Sequence, residues 1–384
     1  MADFAKRALL PAGLRDILPP GAAFEAHVIE TLTAFFAANG YERVKPPLIE
    51  FEEGLLSGSG AAMSGQTFRV MDPLSHRMMG VRADMTLQVA RIATTRLVNT
   101  PRPLRLAYAG QVLRVKGAQL RPARQFAQAG IELIGASTPT ADAEVVLLAA
   151  EALIALGIGG VSVDLNVPTL VRAIFDEMEV DTAQRGILRD ALNRKDAATV
   201  AAAGGRVGAL LTGLLAAGGT CAPAMAALGK LDLPPAAALA RDTLAEVIER
   251  VRTGAPDLTL TVDPVEHRGF EYHAGVGFAI FARGAAGELG RGGRYLAGEG
   301  LGVPATGATL FVDALIEILS PPSPTLRILL PVGTARSVAR DLQCQQWVTV
   351  GALEPVADLV AEARRMGCSH AYLDNRPVAV DVNS

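Results

Sequence analysis

Carboxylates vanish from this sequence between Asp84 and Glu132, cysteine is scarce, and no apolar run has the length of a membrane span. Each absence excludes something. The three cysteines, Cys221, Cys344 and Cys368, lie far apart and form no Cys-x-x-Cys pair or Cys/His cluster. That spacing argues against zinc and for reduced thiols in a cytosolic protein. The longest apolar stretch, from Val145 to Val163, is broken by Glu151 and by Gly157, Gly159 and Gly160, whereas a span needs about 20 predominantly apolar residues. Met1 to Phe24 carries Asp3, Lys6, Arg7, Arg15 and Asp16 and no apolar core of a signal peptide. A soluble, cytoplasmic protein with no membrane partner is expected. The formal net charge of −3 argues against wholesale binding of a phosphate backbone, though not against a local basic site.

What is present is ample for a folded protein. Half of the 384 residues are apolar and a fifth are charged, so a large core can form and disorder is excluded for most of the chain. This length predicts more than one domain. Ala22 to Asn39 has Phe24, Val28, Leu32 and Phe35 near helical spacing, with Gly40 as a stop. Tyr41 to Phe51 is strand-like, but Pro46-Pro47 restricts it to an edge or interface. Thr67 to Met71 and Arg77 to Arg82 flank a turn in a hairpin pattern. A helix over Asp84 to Leu97 precedes two strands, Leu104 to Arg114 and Gln125 to Leu133, and a further helix follows over Asp142 to Leu156. Residues 166–256 turn Ala- and Leu-rich and predict an inserted helical domain. Strands resume at Leu258 to Val262 and Gly269 to Ala282. A glycine-rich turn is expected over Gly284 to Gly293, and an apolar helix over Thr306 to Leu319. Behind Pro321-Pro322-Ser323-Pro324, residues 325–384 alternate strand and helix as a small α/β unit. Antiparallel strands with segregated helices make the whole α+β.

The acid-free span holds Arg91, Arg96, Arg102, Arg105, Arg114, Lys116, Arg121 and Arg124. Cations without sequence-local partners point to a pocket for carboxylate or phosphate, which suits the planar guanidinium fork. A solvated basic face explains any single one of them as well. Arg114, between Leu113 and Val115, is the one best placed for a pocket. Asp84 and Glu132 bracket the span within apolar elements, where a carboxylate needs a cationic partner. A zwitterionic amino acid would offer one, and its imidazole N–H, were it histidine, would suit the second acid. An internal Asp–Arg or Glu–Arg pair satisfies the same need.

Five ordered segments carry a family resemblance. Tyr108-Ala109-Gly110-Gln111-Val112-Leu113-Arg114, with Arg124 to Glu132, resembles motif 2 of histidyl-tRNA synthetases, which are class II aminoacyl-tRNA synthetases. Gly40-Tyr41 through Pro47 and Glu50 resembles motif 1, whose proline sits at a dimer interface. Arg82-Ala83-Asp84-Met85-Thr86 is similar to the family's ammonium-binding segment, His267 to His273 to its histidine-specific segment, and Gly292-Gly293-Arg294-Tyr295 to a turn that follows. The resemblance spans roughly residues 13 to 320. It implies a synthetase-like core over 1–165 and 257–320, with 166–256 inserted. It also implies a histidine site in which Asp84 and Thr86 hold the ammonium, Gln128 and Arg268 face the carboxylate, and Glu132, Tyr295 and His273 line the imidazole, with Arg114 and Tyr272 as further members of the site.

The same alignment of motifs departs from a working synthetase. Adenylation needs positioned cations or metal around a triphosphate. The motif-2 loop arginine falls on Pro122 unless a slip recruits Arg121, the acid expected two residues beyond Arg114 is Lys116, and the motif-3 arginine is Ala314. The tail is short for an anticodon-binding domain. Keeping the amino-acid site while losing the ATP site resembles the regulatory subunits of ATP phosphoribosyltransferase. The resemblance implies a non-catalytic chain with no cofactor or metal and no tRNA. It further implies partnership with a short-form catalytic subunit in the first step of histidine biosynthesis, histidine as feedback effector, and self-association as at least a dimer. A divergent histidyl-tRNA synthetase, or a stand-alone histidine-binding module, are the alternatives. From Ala314, Lys116 and Pro122 the purified chain is expected to give no histidine-dependent ATP–pyrophosphate exchange; robust exchange of labelled pyrophosphate would restore the synthetase reading.

Overall fold

The computed structural model of the chain describes residues 9–56, 63–117, 121–266, 273–298, 300–321 and 325–381. Contacts divide it into two units, 1–320 and 321–384. In the first, helix α1 (Gly21–Ala38) buries Val28, Leu32, Thr33 and Phe36, a stripe at helical spacing. The prolines at 46 and 47 split the strand-like segment that follows. Its first part, β1 (Glu42–Arg43), pairs in parallel with a strand of the main sheet, and its second, β2 (Ile49–Phe51), joins a separate one. After the short helix α2 (Glu52–Leu55), the expected hairpin forms from β3 (Phe68–Met71) and β4 (Met78–Val81), giving a small sheet in the order β2-β4-β3. Helix α3 (Thr86–Thr95) then leads to the long antiparallel pair β5 (Leu104–Leu113) and β6 (Gln125–Ile134). Helix α4 (Pro139–Ala155) and β7 (Val161–Asn166) follow.

Residues 168–254 supply α5 (Pro168–Glu177), α6 (Thr182–Asn193), α7 (Ala197–Ala203), α8 (Gly208–Ala216), α9 (Cys221–Leu228) and α10 (Pro235–Gly254). Their apolar residues belong to the same buried cluster as the sheet. A two-residue strand between them, β8 (Gly219–Thr220), pairs with β9 (Thr259–Val262) at the edge of that sheet. Strands β10 (Gly277–Ala282), β11 (Gly290–Ala297) and β12 (Val303–Phe311) complete it, and α11 (Val312–Ile318) closes the unit. Among the described residues the order is β1-β5-β6-β12-β11-β10-β7-β9-β8.

Two local expectations are corrected here. Gly292 to Tyr295 lie inside β11 rather than in a turn, and Thr306 to Phe311 are strand, with helix only from Val312. Both segments are glycine-containing with weak local preference, and their sheet partners, β10 and β6, decide the conformation. In the second unit, β13 (Arg327–Leu330), α12 (Arg336–Cys344), β14 (Val348–Gly351), α13 (Leu359–Arg365), β15 (His370–Leu373) and β16 (Arg376–Ala379) form a sheet ordered β14-β13-β15-β16. Its first three strands are parallel, and the unexpected β16 adds an antiparallel edge. No helix of the described residues is long and apolar enough to cross a membrane.

Alternation along the central strands sorts the core into two faces. Ala127, Ala129, Ile131 and Leu133 of β6 face the cluster that includes α1 and α4, while Phe126 and Ile134 face the one that includes α3. Arg294, on the opposite face of β11 from Tyr295, reaches α4. Its guanidinium pairs with Asp142 at 2.8 Å and donates to the carbonyls of Ala136 and Thr138, and both side chains are almost wholly buried. Burial pushes the Asp142 carboxyl up against the pull of Arg294. Removing one member of a buried pair strands the other, at a cost of about 3–5 kcal/mol. Arg294→Met should therefore lower stability in urea by that amount, and adding Asp142→Leu should recover most of it.

Candidate functional site

Alternate residues of three central strands face one cavity of about 520 Å³ on the α3 side of the sheet. From β6 come Phe126 and Glu132, from β11 Arg291, Gly293 and Tyr295, and from β12 Gly307, Thr309 and Phe311. Asp84 and Thr86 enter from the start of α3, and His273 from the segment before β10. The space depends on glycine. Gly307 is registered opposite Glu132, and a Cβ there would stand 1.9 Å from the Glu132 Oε2. Gly293, at φ +148°, is registered against Gly277, and a side chain there would meet the His273 ring at 2.5 Å.

Glu132 is 1 % exposed. The Tyr295 hydroxyl donates to its Oε2 at 2.8 Å and the Tyr108 hydroxyl reaches its Oε1 at 3.5 Å. Tyr108, Thr86 and Thr309 share a chain of hydroxyl contacts, 2.7 Å between Tyr108 and Thr309 and 3.0 Å between Tyr108 and Thr86. Burial outweighs these hydrogen bonds and pushes the Glu132 carboxyl up to about 8, with nearby Asp84 adding to the rise. The same burial, with Glu132 and Asp84 close by, raises the Tyr108 hydroxyl far above its ordinary value. That value leaves Glu132 a neutral acid at neutral pH.

Asp84 is held as an acceptor. Its Oδ1 takes the Thr86 backbone N–H at 2.9 Å, and its Oδ2 takes the Gln128 amide at 2.9 Å and lies 4.0 Å from the Arg114 guanidinium. Gln128 is fully buried, and its amide oxygen accepts the Met85 N–H at 3.2 Å. Both ends of Gln128 are spent on the Asp84 loop, so its place is behind the cavity wall.

The far end of the cavity is lined by cations and acids together. Arg121 lies 3.6 Å from Asp313, donates to the Glu288 carbonyl at 2.9 Å, and stacks 3.9 Å from the centre of the Phe311 ring. Arg291 pairs with Glu288, and Arg114 lies over Phe126 at 5.0 Å. Burial pulls the Arg114 and Arg121 guanidinium groups down, with Asp84 and Asp313 opposing. Ala314 faces this end, whereas Lys116 is exposed and outside the lining.

Of the residues singled out from sequence, Asp84, Thr86, Arg114, Glu132, His273 and Tyr295 therefore share one cavity. Gln128 supports it from beneath, and Arg268 and Tyr272 fall in 267–272, outside the described residues. Sequence reasoning missed Tyr108, Thr309, Gly307, Arg291 and Phe126 as lining or contacting groups. Period-two counting from Glu132 to Phe126 and from Tyr295 to Arg291 finds two of them.

A largely antiparallel sheet with helices against both faces, and an acid-and-hydroxyl pocket on the α3 side, defines a chain of the class II synthetase type. The family profile described as histidyl-tRNA synthetase matches residues 13–315. The fold is similar to a solved structure described as "ATP phosphoribosyltransferase regulatory subunit/histidyl-tRNA synthetase" from Bacillus halodurans C, with TM-score 0.80, 26 % identity, and 93 % of this chain and 96 % of that one covered. Two curated relatives sharpen the class. The ATP phosphoribosyltransferase regulatory subunit of Paramagnetospirillum magneticum is 60 % identical over 96 % of this chain and 97 % of its own, and that of Rhodospirillum centenum is 59 % identical over 96 % and 95 %. The chain belongs to the family of ATP phosphoribosyltransferase regulatory subunits, a non-catalytic line within the histidyl-tRNA synthetase fold.

Glu132 also gives the fold a pH signature. Its folded value of about 8 lies above the unfolded 4.5, so its contribution is fully present below 4.5. That stability drains away as pH rises, because between the two values the unfolded chain releases a proton that the native chain keeps. The slope is about 1.4 kcal/mol per pH unit. Glu132→Gln should flatten this part of the stability–pH curve in urea titrations between pH 5 and 8; an unchanged slope would mean Glu132 is ionised in the native state.

Proposed function

We propose that this chain senses free histidine for a separate, short-form catalytic subunit of ATP phosphoribosyltransferase, and conveys feedback inhibition on the first step of histidine biosynthesis. The observation that carries this reading is Glu132: a buried carboxyl beside Tyr295 and His273, in the same cavity as Asp84 and Thr86. The ligand's ammonium group goes to the Asp84 carboxylate, whose orientation is fixed by Gln128 and the Thr86 N–H. Its carboxylate goes to the arginine side, toward Arg114 and, by resemblance, Arg268. The imidazole goes to Glu132.

The state of Glu132 suits that ligand. A neutral imidazole meeting a protonated carboxyl can take its proton, and the resulting pair gains a charge-assisted bond inside a site that excludes water. The proton is already in the pocket, so histidine enters in its neutral-imidazole form. A ligand with an apolar side chain would leave the buried acid without a partner, and that asymmetry is the source of selectivity.

The cavity binds but is not equipped to activate an amino acid, and no charging of tRNA is part of this reading. Self-association is part of it, through the motif 1 region around Pro47. In the small sheet β2-β4-β3, Ile49, Phe51 and Val70 are exposed on one face and Met71 and Met78 on the other, apolar surface suited to a second copy.

Calorimetric titration of wild type, Arg268→Ala and Glu132→Gln with histidine tests the reading. A charge-assisted bond of roughly 1.5–3 kcal/mol predicts about ten- to a hundredfold weaker binding for Glu132→Gln. Histidine at a hundred times its dissociation constant should stabilise the native wild type by about 2.7 kcal/mol. Equal affinity in all three proteins would displace the histidine site from this cavity. Coupling must also be reciprocal, so substrates of the catalytic subunit should shift histidine affinity in the complex by the factor with which histidine shifts theirs.

A further inference from the structure

The ammonium and carboxylate of an amino acid branch from one carbon. With the ammonium at Asp84, the carboxylate needs a cation on the far side of the chamber, within a side chain's reach. The floor of the cavity offers one. Tyr108, Gly130, Thr309 and Arg291 stand in register across β5, β6, β12 and β11. Thr86, beside Asp84, rests on this row, 3.0 Å from the Tyr108 hydroxyl and 3.4 Å from that of Thr309. Arg291 comes next in the row, one strand beyond Thr309 at a spacing of about 4.8 Å, and lines the same cavity. Arg114 is committed to the opposite wall, where it lies 4.0 Å from Asp84, donates to the Ala83 carbonyl and covers Phe126.

Arg291 is held by Glu288, whose carboxylate takes its Nε–H at 3.1 Å and a second N–H from the same fork. Solvent reaches this pair. Its side chains are 32 % and 25 % exposed, against 19 % and 11 % for Arg121 and Asp313. An ion pair open to water is worth little, and its acid can be rehydrated when it lets go. Arg121 has less freedom, since Asp313, the Phe311 ring and the Glu288 carbonyl all hold it. Arg291 also lies close enough to Arg114 and Arg121 to push both guanidinium groups down. An anion arriving at Arg291 relieves that repulsion.

We propose that Arg291 is a specificity-determining residue that takes the α-carboxylate of histidine, exchanging Glu288 for the ligand. This deepens the sensing function proposed above and rests on it. The guanidinium fork that grips Glu288 through two nitrogens can grip the ligand's carboxylate in the same way. Exchange makes the carboxylate a condition of tight binding. Histidinol, with a hydroxymethyl group in its place, cannot displace Glu288 and gains little at that end of the chamber.

The experiment is calorimetric titration of the full chain with histidine and with histidinol. It compares wild type, Arg291→Gln and Glu288→Gln, with thermal melting to confirm that each variant folds. Arg291→Gln should bind histidine about ten- to a hundredfold more weakly than wild type, and histidinol as wild type does. Glu288→Gln should bind histidine more tightly than wild type, because no counter-ion has to be displaced. These opposite signs separate a ligand contact from a merely structural pair, whose two variants would shift affinity alike. An Arg291→Gln protein that keeps the wild-type preference for histidine over histidinol overturns the proposal, and so does a Glu288→Gln protein that binds histidine more weakly. A wild type that ignores histidine defeats the sensing function itself, whereas equal histidine binding by wild type and Arg291→Gln defeats only the role of Arg291.

Discussion

Glu132 needs an empty place opposite it, and the pairing of β12 with β6 provides one. Gly307 sits across from Glu132 in the ladder, and the missing side chain leaves room for a carboxyl and for whatever that carboxyl binds. The rest of the site is arranged around this gap. Tyr108 approaches the acid from the adjacent strand and Tyr295 from the strand beyond β12, Thr86 and Thr309 extend the hydroxyl chain, and Gly293 clears the space that His273 occupies. A buried acid without such company would be a pure liability. Here its partners are hydroxyls, which lower the penalty without supplying a positive charge, and so the acid keeps its proton.

The two ends of the cavity solve opposite electrostatic problems. At the Glu132 end burial keeps a carboxyl neutral against the opposing pull of its hydroxyl contacts. At the other, guanidinium groups that cannot lose their charge are neutralised by acids within reach. One end therefore has a proton to give, and the other has its charges already spoken for. An amino acid with a basic side chain meets a favourable partner at the first end and avoids conflict at the second.

Much of this was legible in the sequence, for physical reasons that can be named. The α1 stripe and the long runs of β5 and β6 follow their periods, because apolar spacing is itself the cause of burial there. Asp84 and Glu132 stood out as acids within apolar text beside an acid-free span. Other features depend on distant partners. Thr306 to Phe311 has the composition of either a helix or a strand, and only the neighbours β6 and β11 make it a strand. Gln128 looked like a ligand contact, but its amide is engaged by Asp84 and Met85, more than 40 positions away. The cation lost at Ala314 left no replacement in its own helix, whereas Arg121 reaches that neighbourhood from the β5–β6 connection. Local spacing cannot show such a crossing.

Helix α3 has one more property. Its first residue, Thr86, touches the hydroxyl chain above Glu132, and a turn or so later Gln88 and Arg91 grip the segment ahead of and within β2. Gln88 donates to the Pro47 carbonyl at 2.8 Å, and Arg91 holds Glu50 through two nitrogens. Thr86 and Arg91 are separated by about 7.5 Å of hydrogen-bonded rod, which can tilt or slide but cannot shorten. The helix thus ties the wall of the cavity to β2 through a turn and a half of hydrogen-bonded backbone, so the two places share one rigid element.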